Sequence, residues 1–101
     1  MSTGEEAHRL IKLVAKHFRM TDRELMAKCR DHRTIRARAA AVKILRDVML
    51  LSYPKLGLVF QQNHATCLNS YRNAKNWLET DRFFRRHYLE LEEDLRKQGE
   101  L

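Results

Sequence analysis

Between Gln62 and Asn69 the chain places Gln62, Asn63, His64, Thr66 and Asn69, side chains suited to meeting the edges of nucleic-acid bases. Asn and Gln amides donate and accept together, as the adenine edge requires, and a Thr methyl packs on the thymine methyl. Earlier in the chain, Lys28, Arg30, Arg33, Arg36 and Arg38 stand against the single acid Asp31. Lys55, Arg72 and Lys75 flank the polar group on either side. Cations of this kind hold phosphates, which fix position, while base-edge groups carry the specificity. The plainer alternative makes Asn63 a helix cap and the other polar residues a solvated face. For His64, packing in the core and reading a base are evenly balanced, because on a helical wheel it lies nearer the apolar stripe than Thr66 and Asn69 do.

Other chemistry finds less support. Cys29-x-x-His32 and His64-x-x-Cys67 have zinc-like internal spacing,. Yet Cys67 falls on an apolar helical stripe, where free cysteine acts as a small hydrophobe. Cys29 and His32 sit among arginines that repel a cation. The expectation is therefore no metal and no cofactor. Cys67 with His64 lacks a third group to orient an imidazole base. Glu92, Glu93 and Asp94 are consecutive, so a helix spreads them apart. No enzymatic activity is expected.

The elements that must position these residues are helical. The chain has 101 residues, 44% hydrophobic and 33% charged, with three glycines and one proline. That balance favours one all-α domain over sheet or disorder. No stretch approaches the roughly 20 apolar residues of a membrane span, and the first residues lack a signal-peptide run. Two cysteines are too few for a disulfide framework and fit a reducing cytoplasm,. The net charge of +7 is unevenly spread: residues 28–38 hold five cations and one acid, whereas residues 79–101 hold five cations and seven acids. A basic patch facing an acidic tail suits a polyanion on one surface only.

About six helices are expected. The first covers about Glu5 to Phe18, with Ala7, Leu10, Ile11, Val14, Ala15 and Phe18 on one face. Thr21 to Glu24 reads as a capping box opening a short helix to about Lys28. Cys29 to Arg33 reads as a basic loop. Thr34 is expected to cap a long, central helix from Ile35 to about Leu51. Ser52 caps a short helix with Pro54 in its first turn, Gln61 and Gln62 turn the chain, and Asn63 caps the next helix. Those two helices have helix-turn-helix dimensions over about 52–77, an arrangement in which the second helix enters the major groove. Thr80 is expected to cap a last amphipathic helix over about 81–98, and in this acidic last third Trp77, Phe83, Phe84 and Tyr88 are expected to form core or an oligomer contact.

Three segments then resemble the C-terminal DNA-binding domain of the bacterial replication initiator DnaA, in the Trp-repressor-like helix-turn-helix group. They are IKLVAKHFRMTDRELMAKCR, RTIRARAAAVKILRDV and SYPKLGLVFQQNHATCLNS. The last is similar to the family's Ser-Leu-x-x-Ile-Gly-x-x-Phe-Gly-Gly-Arg-Asp-His-Thr-Thr-Val-Leu-His-Ala signature. Ser52, Gly57, Phe60, His64, Thr66 and Leu68 fall on matching positions if one turn residue is missing. The resemblance covers about two-thirds of the chain. It implies that Arg30 enters a minor groove, that Asn63, His64 and Thr66 read a major groove, and that Arg36, Arg38 and Lys55 touch phosphates.

The departures matter too. The turn glycines are replaced, leaving Gln61; Gln62 stands for an arginine, Asn63 for an aspartate and Ala65 for a threonine. These changes imply a DNA preference different from the family's usual box. There is no phosphate-binding Gly-x-x-x-x-Gly-Lys-Ser/Thr loop, so the expectation is a stand-alone transcriptional or replication regulator of a bacterium, phage or mobile element. The alternative is an adaptor that keeps the fold without reading DNA and docks a protein partner, or a second copy, through the last helix. Loss of the turn glycines favours the adaptor, and retention of the basic loop opposes it. RNA is the weaker partner, because no single-strand stacking platform is visible.

Overall fold

A helix with alanines at 37 and 39–41 and larger apolar groups at Val42, Ile44 and Leu45 has little polar surface to offer water, and the other helices gather around it. The computed structural model describes residues 3–28 and 30–99. Among these residues lie six helices and no strand. They are α1 (Thr3–His17), α2 (Asp22–Met26), α3 (His32–Met49), α4 (Tyr53–Phe60), α5 (His64–Thr80) and α6 (Arg82–Lys97). Helices α1, α2, α4 and α5 all pack on α3, and α6 closes the bundle against α1 and α5. Ala37, Ala39, Ala40 and Ala41 are buried. Their small side chains let neighbouring backbones approach, so α3 acts as the axis.

The caps are where local sequence and fold meet. Thr21 forms the expected capping box: its Oγ1 accepts from the Glu24 amide at 3.1 Å, and its own amide donates to Glu24 Oε1 at 3.1 Å. Helix α2 nevertheless stops at Met26, short of Lys28. Two expected caps are corrected. Asp31, not Thr34, caps α3, its carboxylate accepting from the Thr34 amide at 2.8 Å. Thr34 lies inside the first turn and is buried. An acid at the cap also answers the positive end of the helix dipole. The basic segment is thereby divided, because His32 and Arg33 are helical and not part of a loop.

Asp81 likewise caps α6, accepting from the Phe84 amide at 3.0 Å. Thr80 ends α5, its hydroxyl donating to the Asn76 carbonyl at 3.0 Å. Helices α5 and α6 are thus joined by one residue. Three other helix ends reverse through left-handed residues that are not glycine: Arg19 (φ 59°), Leu50 (φ 56°) and Gln61 (φ 53°). Each such conformation costs an L-residue about 1 kcal/mol or more. At the α3–α4 turn an arginine offsets this cost, since Arg46 donates to the Leu51 carbonyl at 2.8 Å and lies 4.5 Å over the Tyr53 ring.

The aromatic residues of the last third separate. Phe84 and Tyr88 are buried and stack with ring centroids 5.8 Å apart, and Phe84 also meets Phe18 and Trp77 at 5.8 and 5.6 Å. Phe83 stays 74% exposed. His17 ties α1 to α6 through a 2.9 Å hydrogen bond to Asp94, which lowers the Asp94 carboxyl below its usual range.

Candidate nucleic-acid interface

Gly57 sets the geometry of the turn. A side-chain carbon there would lie 2.6 Å from the backbone oxygen of Gln62, a distance no real contact tolerates. The Gln62 amide donates to the Gly57 carbonyl at 2.9 Å, so the chain leaving α4 folds back onto its middle turn. Ser52 opens α4 by accepting from the Lys55 amide at 3.4 Å. Leu56 and Phe60 bury against the bundle. Gln61 supplies the left-handed step that a glycine usually takes,.

The next helix starts cleanly. Asn63 Oδ1 accepts from the Ala65 amide at 2.8 Å, so Asn63 is a cap whatever else it does,. In the first turn and a half of α5, His64, Ala65, Thr66 and Asn69 are exposed. Cys67 on the opposite side is fully buried. Burial pushes the Cys67 thiol above its ordinary range, so it stays protonated and acts as an apolar anchor. His64 is exposed, so it does not pack against the apolar stripe. Gln62 is half-buried, with its Oε1 4.0 Å from the Cys67 sulfur, a weak thiol hydrogen bond that steadies the amide.

The basic loop lies alongside. Arg38 spans from α3 to the end of α2, its Nε donating to the Leu25 carbonyl at 3.1 Å and its terminal nitrogen donating to the Ala27 carbonyl. This holds the start of the loop. Lys28 and Arg30 follow, both exposed, and share a recess of about 350 Å³ with Arg38, Phe60, Gln61 and Gln62. The loop cations and the turn therefore occupy one continuous surface. Lys55, Arg72 and Lys75 are exposed on α4 and α5.

Two of the expected phosphate contacts face elsewhere. Arg36 pairs with Asp81 at 2.8 Å and lies 4.6 Å over the Trp77 ring. Arg33 donates to the Arg19 carbonyl. Both line a separate recess at the head of α6. The physical reason is the helical screw: two residues along α3, Arg36 and Arg38 project about 160° apart.

Two features of the site were not anticipated. The first is the bracing role of Arg38, whose carbonyl acceptors are tertiary neighbours. The second is Leu58, 81% exposed and sharing a recess with Pro54, Gln61 and His64 beside the recognition turn. Leu58 falls outside the Leu56, Val59 and Phe60 stripe, a signal present in the sequence. Among the described residues no group of three or more His, Cys, Asp or Glu side chains is placed to hold a metal ion. Cys29 lies outside the described residues, so the Cys29–His32 pair has no described geometry. No described helix is long and apolar enough to cross a membrane.

Comparison with known proteins agrees with this geometry. A family model described as the bacterial dnaA protein helix-turn-helix matches residues 7–73. The chromosomal replication initiator protein DnaA of Bacteroides thetaiotaomicron is 29% identical over 91 residues, covering 89% of this chain and 19% of the relative. The protein of the same description from Corynebacterium jeikeium is 32% identical over 74 residues, covering 72% of this chain and 13% of the relative. The chain thus spans less than a fifth of the length of these relatives. The family match ends inside α5 and leaves α6 outside it.

Proposed function

The chain belongs to the bacterial DnaA helix-turn-helix family, and from that premise we propose that it binds double-stranded DNA with sequence preference. The exposed first turns of α5 enter a major groove, where His64, Thr66 and Asn69 meet base edges and Gln62 and Asn63 border them. Arg30, carried on the loop that Arg38 braces, reaches the neighbouring minor groove. Lys28, Lys55, Arg72 and Lys75 hold phosphates. The activity is binding alone, with no catalytic step and no cofactor.

One observation carries this reading: Lys28 and Arg30 share a surface with Gln61 and Gln62, immediately before the exposed turn of α5. Phosphate anchors and base-edge groups must stand side by side for one duplex to satisfy both. Gln62 and Asn63 also support a site unlike the family's usual box. Gln lacks the charge and guanine-edge fork of Arg, and Asn adds a donor that Asp lacks. The biological role proposed is regulation of transcription or replication in a bacterium, phage or mobile element.

The test is duplex binding across a salt series for the natural chain, Arg30→Ala and His64→Ala. Affinity should fall steeply with salt. Arg30→Ala should weaken all sequences, and His64→Ala should flatten preference among them. Absence of duplex binding at low salt sinks the proposal. Recovery of the family's usual box as the best site in a random-sequence selection sinks the altered preference.

A further inference from the structure

Where the end of α1, the head of α3 and the head of α6 converge, the surface forms a recess of about 630 Å³. Its floor is aromatic. The Phe18 ring lies 5.8 Å from Phe84 and 5.4 Å from the His87 ring. Phe83 stands at the recess with 74% of its surface in water, although the neighbouring Phe84 is fully used in the core. A ring left so exposed forgoes the burial that large apolar side chains ordinarily gain.

The charge around this floor is positive in excess. Among the described residues Asp81 is the sole carboxylate lining it, and Asp81 is already occupied by Arg36 at 2.8 Å and by the Phe84 amide at 3.0 Å. Arg19 and Arg33 also line the recess. Among the described residues neither has a carboxylate partner. Arg19 further occupies a left-handed conformation (φ 59°) that glycine or asparagine adopts more cheaply,. Strained residues of this kind cluster at binding sites.

We propose that this recess docks an acidic segment of a partner protein, one large apolar side chain filling the aromatic floor while flanking carboxylates pair with Arg19 and Arg33. The occupant follows from charge and shape together. A duplex phosphate backbone supplies the negative charge but no apolar group to fill a cleft. A single strand stacks bases on open ring faces, yet Phe18 and Phe84 are 7% and 1% exposed. A second copy brings the net charge of +7 with it, which opposes association. The recess is also separate from the loop-and-turn surface, so DNA and the acidic partner have room to bind together.

The probe is a short labelled peptide of Asp and Glu around a central Leu, with labelled oligothymidine of equal charge beside it. Trp77 supplies an internal signal, being the chain's one tryptophan and 5.6 Å from Phe84. We expect saturable peptide binding that changes Trp77 emission. Replacing the peptide's Leu by Ser, or the protein's Phe83→Ser or Arg19→Asn, should weaken it about tenfold or more. Asn accepts the left-handed backbone at residue 19, so that variant removes charge without changing the turn. Duplex DNA affinity should stay unchanged in both protein variants, and saturating duplex should not displace the peptide. Five results would overturn the proposal. They are no saturable binding, binding indifferent to Leu and Phe83, displacement by duplex, stronger binding of oligothymidine, and self-association of the free chain that Phe83→Ser abolishes.

Discussion

Gly57 and Gln62 touch backbone to backbone: the amide of one donates to the carbonyl of the other at 2.9 Å, and no side-chain carbon fits between them. The angle between α4 and α5 therefore depends on the absence of a single methyl group. Gly57→Ala must push the turn outward. The expected cost is about 1–3 kcal/mol in denaturant unfolding, as for other forced overpacking. Duplex affinity should fall further than stability alone explains, because the head of α5 is displaced. An alanine variant that unfolds and binds like the natural chain would refute this account of the turn.

Gln61 is the converse case. It holds φ 53° where a glycine is unstrained, so Gln61→Gly should stabilise the fold by up to about 1 kcal/mol. In a domain of this size that appears as a rise of a few degrees in Tm. The measurement is a thermal scan of the two proteins, and a lower Tm for the glycine variant contradicts the strain argument.

Thr66 carries a prediction about one methyl group. It is exposed in the first turn of α5, and a thymine methyl is its natural apolar contact,. Thr66→Ser should lose affinity for the best site, and replacing the contacted thymine by uracil should cost the same amount. Applied together, the two changes should cost little more than either alone. Additive losses would place the methyl elsewhere.

Lys55→Ala separates anchoring from reading. Lys55 is exposed at the start of α4. Its removal should weaken all duplexes alike and lower the slope of log affinity against log salt by about one. A change in sequence ranking instead would make Lys55 a reader.

Asp81 gives the fold an acid limit. Its carboxyl is held below the usual range, first by the Phe84 amide and then by the Arg36 guanidinium. A carboxylate with a depressed folded value stabilises the native state above its unfolded value, and that contribution is lost as pH falls through the folded one. Stability should therefore drop as pH falls below about 4. Asp81→Asn should be less stable at neutral pH and should show a shallower acid limb. Equal slopes for the two proteins in pH-dependent unfolding would dissociate Asp81 from the loss.

What was legible in the sequence was what local chemistry decides. The caps at Thr21, Ser52 and Asn63 follow from short polar side chains reaching amides two or three residues on. The apolar spacing around Val42, Ile44 and Leu45 gave away the central helix. Asp31 and Asp81 were missed because Thr34 and Thr80 are equally good caps locally. Only the burial of Thr34 and the ion pair from Arg36, 45 residues away, decide between them. The basic run was visible, but its partners were not. Leu25, Ala27, Asp81 and Trp77 sort its arginines in space, and no spacing rule names them. For His64 the wheel left burial open, and the three-dimensional packing that buries Cys67 leaves His64 exposed.

The opposed directions of Arg36 and Arg38 make α3 a partition whose phase is its content. Adding or deleting one residue between Arg36 and Arg38 would leave the run as basic as before, yet turn its head by about 100° around the axis. The tenant of the α6 recess would then turn toward the bundle, and another side chain would take its place beside Asp81. Two surfaces can therefore drift apart in evolution by point substitution, each keeping its own arginines. Neither can tolerate a change in the count of residues that separates them.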